Sequence, residues 1–209
     1  MAWDTLKDSV LAELADRIDS RSKAEHQEAL HNLAGKFYSR FPAEDMRGRS
    51  VENVYGCLYG LLHFMNKWPD PAARVRVFNP QIESHGWESN FTVLAILCRD
   101  RPFCTASVRG ELNRRNLHVH TISSCNLVTN RDSSGELIAI VESEGIEGEA
   151  YSRESLLYFE IGRHADLGGL EELRSSLIDI LGEVGAVVDD FNAMRARLHD
   201  SLDIIRSSH

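Results

Sequence analysis

The sequence predicts an α+β fold: helices over residues 1–70, then a domain over 71–209 with a βαββαβ order, an extra hairpin strand and a C-terminal helix. Three observations lead there. Apolar residues recur at helical spacing as far as Met65. From residue 74 the pattern changes to short extended runs separated by turns and amphipathic stretches. Between them, residues 98–119 compress a strand end, a proline turn, a helix and the start of a second strand into one unit. Such a compact unit suits a regulatory domain better than a catalytic one.

Leu6, Val10, Leu14 and Ile18 share one face of a first helix, and Leu30, Leu33, Phe37 and Phe41 one face of a second, which Pro42 ends. Ser50 is placed to cap a third, whose inner side carries Val51, Val54, Tyr55, Leu58, Leu61, Leu62 and Met65. Pro69-Asp70-Pro71 stops it and marks a domain boundary. Val75–Phe78 reads as a short strand and 79–89 as a loop with Trp87 as its anchor. Phe91–Cys98 is nearly all apolar, as in a strand covered on both faces.

Pro102 suits the first turn of the next helix, over 103–115, and Asp100 can take up its free amides. Cys104, Val108 and Leu112 form that helix's buried stripe, and Asn116 sits where the chain must turn left-handed to leave it. A long strand follows from 117 to about 130, and Asp132-Ser133-Ser134-Gly135 turns it back through Leu137–Val141. Residues 142–150, with four glutamates and two glycines, read as a mobile loop. Ser155–Ile161 is a strand, Leu170–Val184 a striped helix, Val187-Val188 a short last strand, and Met194, Leu198, Leu202 and Ile205 mark a closing helix. Setting aside the hairpin strand and last helix leaves the split βαββαβ unit of ferredoxin-like folds.

Composition narrows the function classes. A net charge of −9 argues against a sequence-independent nucleic-acid binder, which needs a basic face. A ferredoxin-like RNA-binding module would also want aromatics on its central strands, where this chain has His118, His120 and Ser124. No apolar run reaches the roughly 18 residues of a membrane span, and the N-terminus lacks a signal-peptide core, so the cytoplasm is expected. Cys57, Cys98, Cys104 and Cys125 lack CxxC spacing, and Cys57 and Cys104 read as buried free thiols.

The turn Asp100-Arg101-Pro102, followed by a helix and an extended Leu-His-Val, resembles the Asp-Arg-Pro-Gly opening of ACT domains, which are small amino-acid-sensing modules. Phe103 stands where those domains carry glycine. Val75–Pro80, His85-Gly86-Trp87, Asp100–Phe103, Ser107–Arg109, Glu111–Arg115, Glu154–Tyr158 and Ile180–Val184 together resemble the N-terminal region of long-chain bacterial NAD-specific glutamate dehydrogenases, over roughly 74–206. The resemblance implies a non-catalytic regulatory or assembly domain of a parent enzyme that converts L-glutamate, NAD and water to 2-oxoglutarate, ammonia and NADH. It implies NAD in the parent and no cofactor here, with the rest of the parent chain and further copies of the protein as partners. The alternative is a stand-alone ACT-like amino-acid-binding module.

The residues agree with a non-catalytic part: G-x-G-x-x-G, a Walker loop and HExxH are all missing. In ACT domains the corner between first strand and first helix lines an effector pocket, which implies Arg99, Asp100, Arg101, Pro102 and Phe103 as a ligand-binding turn for an amino acid. Helix-start amides and Arg101 could bind a carboxylate, and Asp100 an ammonium. The plain alternative is that Asp100 caps the helix and Arg101 is solvated, which the bulk of Phe103 favours. Arg109, Glu111, Asn113 and Arg114 lie off the buried stripe and form either a docking face or a solvated one. His118 and His120 could pair on a metal, but no third ligand is near, so no metal is expected and they join the candidate interface.

Overall fold

The computed structural model describes residues 2–69, 72–142 and 151–207. Three helices, α1 (Ala2–Arg21), α2 (Ala24–Ser39) and α3 (Val51–Met65), precede strand β1 (Arg74–Phe78), the short helix α4 (Ile82–His85) and β2 (Thr92–Arg99). Helix α5 (Cys104–Arg114), strands β3 (Val119–Arg131), β4 (Leu137–Val141) and β5 (Tyr151–Ile161), and helix α6 (Leu167–Ser207) follow. The strands form one antiparallel sheet in the order β1-β2-β5-β3-β4. This is the α+β class expected from the sequence.

Every residue of β2 from Thr92 to Cys98 is buried, because the sheet is the middle layer of three. Val93, Ala95, Leu97, Leu156 and Tyr158 face α1–α3 and share a core with Leu14, Ile18, Leu33, Phe37 and Leu58. Leu94, Ile96, Leu157 and Phe159 face the other way, against Val108 and Leu112 of α5 and Leu173, Leu177 and Leu181 of α6. Burial of each such side chain stabilises the fold by about 1.5–3 kcal/mol. Leu6, expected inside, is 36% exposed at the edge of its helix.

Polar ties fasten the helical layer to the sheet. Arg49, just before α3, forks onto the buried Glu160 of β5 at 2.8 and 2.6 Å, and Glu160 also accepts from the Tyr158 hydroxyl at 2.7 Å. At the other end of β5, Arg131 forks onto buried Glu154 and donates to the Met65 carbonyl. Ser123 and Asn32 donate across the same boundary to Phe37 and Ile140 carbonyls.

Local signals held where they were strongest. Ser50 Oγ accepts from Asn53 N at 3.2 Å, capping α3 as expected. Asn116 adopts φ 57°, and the Leu117 N–H to Leu112 carbonyl bond (2.9 Å) closes a Schellman motif. Gly135 has φ 80°, and a Cβ there would stand 2.6 Å from the Trp68 carbonyl oxygen and Pro69 Cα, so the hairpin docks on that strap only with glycine. Within the 79–89 loop, α4 forms and Trp87 is buried.

Two expectations are corrected. Val187-Val188 is not a strand: both lie inside α6, one continuous helix of 41 residues. The sheet position beside β2 is filled instead by β1, from earlier in the chain. Pro102 lies in the turn before α5 rather than in its first helical turn. Residues 70 and 71, in the expected boundary, and 143–150, in the expected loop, lie outside the described residues.

Candidate functional site

The corner between β2 and α5 is held from two sides. Arg99 ends β2, exposed, in register with Glu154. Asp100 donates its N–H to the Arg153 carbonyl, and its Oδ1 accepts from Ser155 Oγ at 3.0 Å. It does not cap α5, contrary to expectation: the helix begins at Cys104 with Phe103 in the cap position, three residues beyond Asp100, and Phe103 supplies no side-chain cap. Nor is Arg101 solvated. Its Nη2 donates to Asp189 on α6 at 2.7 Å, and its guanidinium lies so close to Gly185 that a Cβ there would be 2.5 Å from Nη1.

Pro102 and Phe103 are exposed, Phe103 by 70%. Phe103 adopts the left-handed conformation (φ 72°) that a glycine takes freely and a bulky side chain only at a steric cost. Behind it, Cys98 and Cys104 are both buried. A hydrogen bond from Cys98 together with the Arg101 charge outweighs burial and brings the Cys104 thiol down to about 7, while Cys98 is pushed up.

The helix-face residues divide. Arg109 and Asn113 are exposed on α5. Glu111 is not on an open face: it is 4% exposed and joins α5 to α6, accepting from Arg114 Nε (2.7 Å), Arg115 Nε (2.6 Å) and Ser176 Oγ (2.7 Å). The Arg114 hydrogen bond, then Arg115 and Ser176, hold its carboxyl at about 2 against the opposing effect of burial. Arg114 is largely exposed beyond that pair.

His118 and His120 are exposed, their rings 4.6 Å apart and perpendicular, with His120 packed on Phe91 at 4.4 Å. A β-bulge falls between Val119 and Thr121, so His120 leaves the regular alternation assumed for the pair. Among the described residues, no group of three or more His, Cys, Asp or Glu side chains is arranged to hold a metal. Nor, among those residues, is any helix long and apolar enough to cross a membrane. The ties Arg101–Asp189 and Glu111–Ser176, which fix corner and helix to α6, were missed from sequence; their partners lie 88 and 65 positions apart and no local motif announces them.

A five-stranded antiparallel sheet with a strand-to-helix corner at Asp100–Phe103 defines an ACT-like α+β domain. The glutamate dehydrogenase ACT1 domain family matches residues 33–177, and the chain belongs to that family. It is 34% identical over 208 residues to a NAD-specific glutamate dehydrogenase of Halomonas elongata, covering 100% of this chain and 13% of that protein. It is also 36% identical over 170 residues to one of Pseudomonas aeruginosa, covering 81% of this chain and 10% of that protein. The chain thus spans a small fraction of the length of these relatives. The resemblance read from the motifs of residues 74–206 is borne out.

Proposed function

We propose that this chain serves as the non-catalytic N-terminal regulatory and assembly domain of a cytoplasmic NAD-dependent glutamate dehydrogenase, whose remaining chain binds NAD and converts L-glutamate to 2-oxoglutarate and ammonia. The observation that carries this reading is the family match over 33–177. Assembly is the simpler of the two roles. Strand β4 pairs with β3 only from Val128 onward, and among the described residues no strand pairs with the outer side of β3 between Val119 and Leu127. An open edge of that length is a template for pairing with another strand.

Effector sensing is the second role, favoured by the absence of a side-chain cap at the α5 start, whose amides remain available to an amino-acid carboxylate beside Arg101.

The test reads the gene beyond the codon for His209 and assays its full product for glutamate-dependent NAD reduction. Activity there, with none in the 209-residue chain alone, is expected. A frame that closes at His209, with an amino acid bound by the chain alone, would replace this reading with a stand-alone sensor. Sedimentation velocity tests assembly separately, and a strictly monomeric chain would remove that role.

A further inference from the structure

A cleft of about 510 Å³ opens between α3, β1 and α4, on the side of the sheet away from the Asp100–Phe103 corner. That volume lies within the range of roughly 300–1,000 Å³ typical of small-molecule sites. Its floor is apolar, formed by Leu61, Val93 and Ala95. Its only charged side chain is Arg76, its other polar groups are the imidazoles of His63 and His85, the Trp87 indole and the hydroxyls of Tyr59, Ser84 and Tyr158, and no aspartate or glutamate lines it.

Three donor side chains in the cleft lack an acceptor among the described residues. Arg76 is partly buried, its guanidinium 4.1 Å from the centre of the Phe78 ring, and it has no carboxylate or carbonyl partner among the described residues. Burial and the nearby charge of Arg74 hold its pKa below the usual arginine value. His85 accepts the Gln81 N–H on Nδ1 at 3.1 Å, which leaves Nε2 to carry the proton of the neutral ring. Burial, then Arg76, lower the pKa of His85 and favour that neutral form. Trp87 is only 4% exposed, yet its indole Nε1 has no hydrogen-bond partner among the described residues. That nitrogen stands 3.5 Å from where a Cβ of Gly60 would be, at the part of the wall Gly60 lines.

A positive, unpaired guanidinium stacked on the Phe78 ring, which itself packs edge-on against Trp87, is an arrangement that selects a carboxylate attached to a flat apolar body. A zwitterionic amino acid fits poorly, because its ammonium would find no acidic partner. We infer that this cleft binds a small organic carboxylate, with Arg76 taking the carboxylate, His85 and Trp87 donating to it or to an adjacent oxo group, and Phe78 flanking the apolar body. The site is separate from the corner discussed above and does not depend on the role proposed for it.

The test titrates the 209-residue chain with phenylacetate, L-phenylalanine and inorganic phosphate, following the Trp87 indole N–H by nuclear magnetic resonance. Phenylacetate should shift that resonance saturably, and both L-phenylalanine and phosphate should bind about tenfold more weakly or not at all. Arg76→Met should lose about tenfold or more in phenylacetate affinity, and Arg76→Lys should recover part of it. A melting temperature for Arg76→Met close to that of the parent chain excludes unfolding as the cause; should that variant unfold, Arg76→Lys and the ligand panel still decide. No saturable shift at Trp87, equal affinity in the Arg76 variants, or phosphate or L-phenylalanine binding as well as phenylacetate would overturn the inference.

Discussion

Replacing Glu111 by Gln keeps the shape of the side chain and removes the charge that Arg114, Arg115 and Ser176 converge on. The carboxyl sits at about 2 in the fold against an ordinary 4.5. At about 1.36 kcal/mol per unit, that difference sets an upper limit of about 3.4 kcal/mol. Arg114 is 68% exposed, so solvent screening reduces the expectation to about 1–2 kcal/mol. For a chain of 209 residues this is a fall of roughly 3–6 °C in melting temperature. The sign follows from the direction of the shift. An acid whose folded pKa is depressed contributes its full stability above 4.5, and that contribution is lost as pH falls through about 2. Urea denaturation of both proteins should therefore show a constant gap from pH 8 down to about 5.5, closing between about 4.5 and 2, where the protonated Glu111 resembles Gln. A gap that persists at the acid end, or none at neutral pH, would refute the assignment of Glu111 as the charged link between α5 and α6.

Arg49→Met should destabilise by about 3–5 kcal/mol in the same denaturation assay, since it strands the buried Glu160 without its counter-ion. Phe103→Gly should raise the melting temperature by a few degrees: relief of the left-handed strain, about 1–2 kcal/mol, exceeds the added chain entropy of glycine. Limited alkylation near pH 8, followed by peptide mapping, should label Cys104 ahead of Cys57 and Cys125, whose thiols burial pushes up to about 12.

Elements with a strong local signature were legible in the sequence. The all-apolar run of β2, the Ser50 cap and Asn116 at the end of α5 each depend on neighbours within a few residues, and each stands where the pattern placed it. Choices made by distant partners were not legible. Val187-Val188 has strand-like composition, yet β1 holds the sheet position beside β2 through pairings such as Val75 with Ile96. Asp100 had the right residue type for a cap, yet α5 starts only at Cys104 with Phe103 in the cap position, and the Asp100 carboxylate accepts from Ser155 on β5 instead. Around the corner, Arg101 looked like a free cation until Asp189, a turn beyond Gly185 on α6, came within reach. Glu111 carried a polar label but occupies an internal position because two arginines and a serine neutralise its burial. His120 escaped the alternation through a bulge, which sequence periodicity cannot reveal.

With the slot beside β2 taken by a segment laid down before residue 80, nothing obliges the chain to double back after Leu181. Helix α6 is therefore free to run on as a rod about 60 Å long. Its first half is cemented to the sandwich by Leu170, Leu173, Leu177 and Leu181, whereas Val187, Phe191 and Met194 stand out in water beyond it. The reach of that outrigger can be lengthened, shortened or re-aimed by sequence changes past Asp189 while the three-layered block behind it keeps every one of its own contacts.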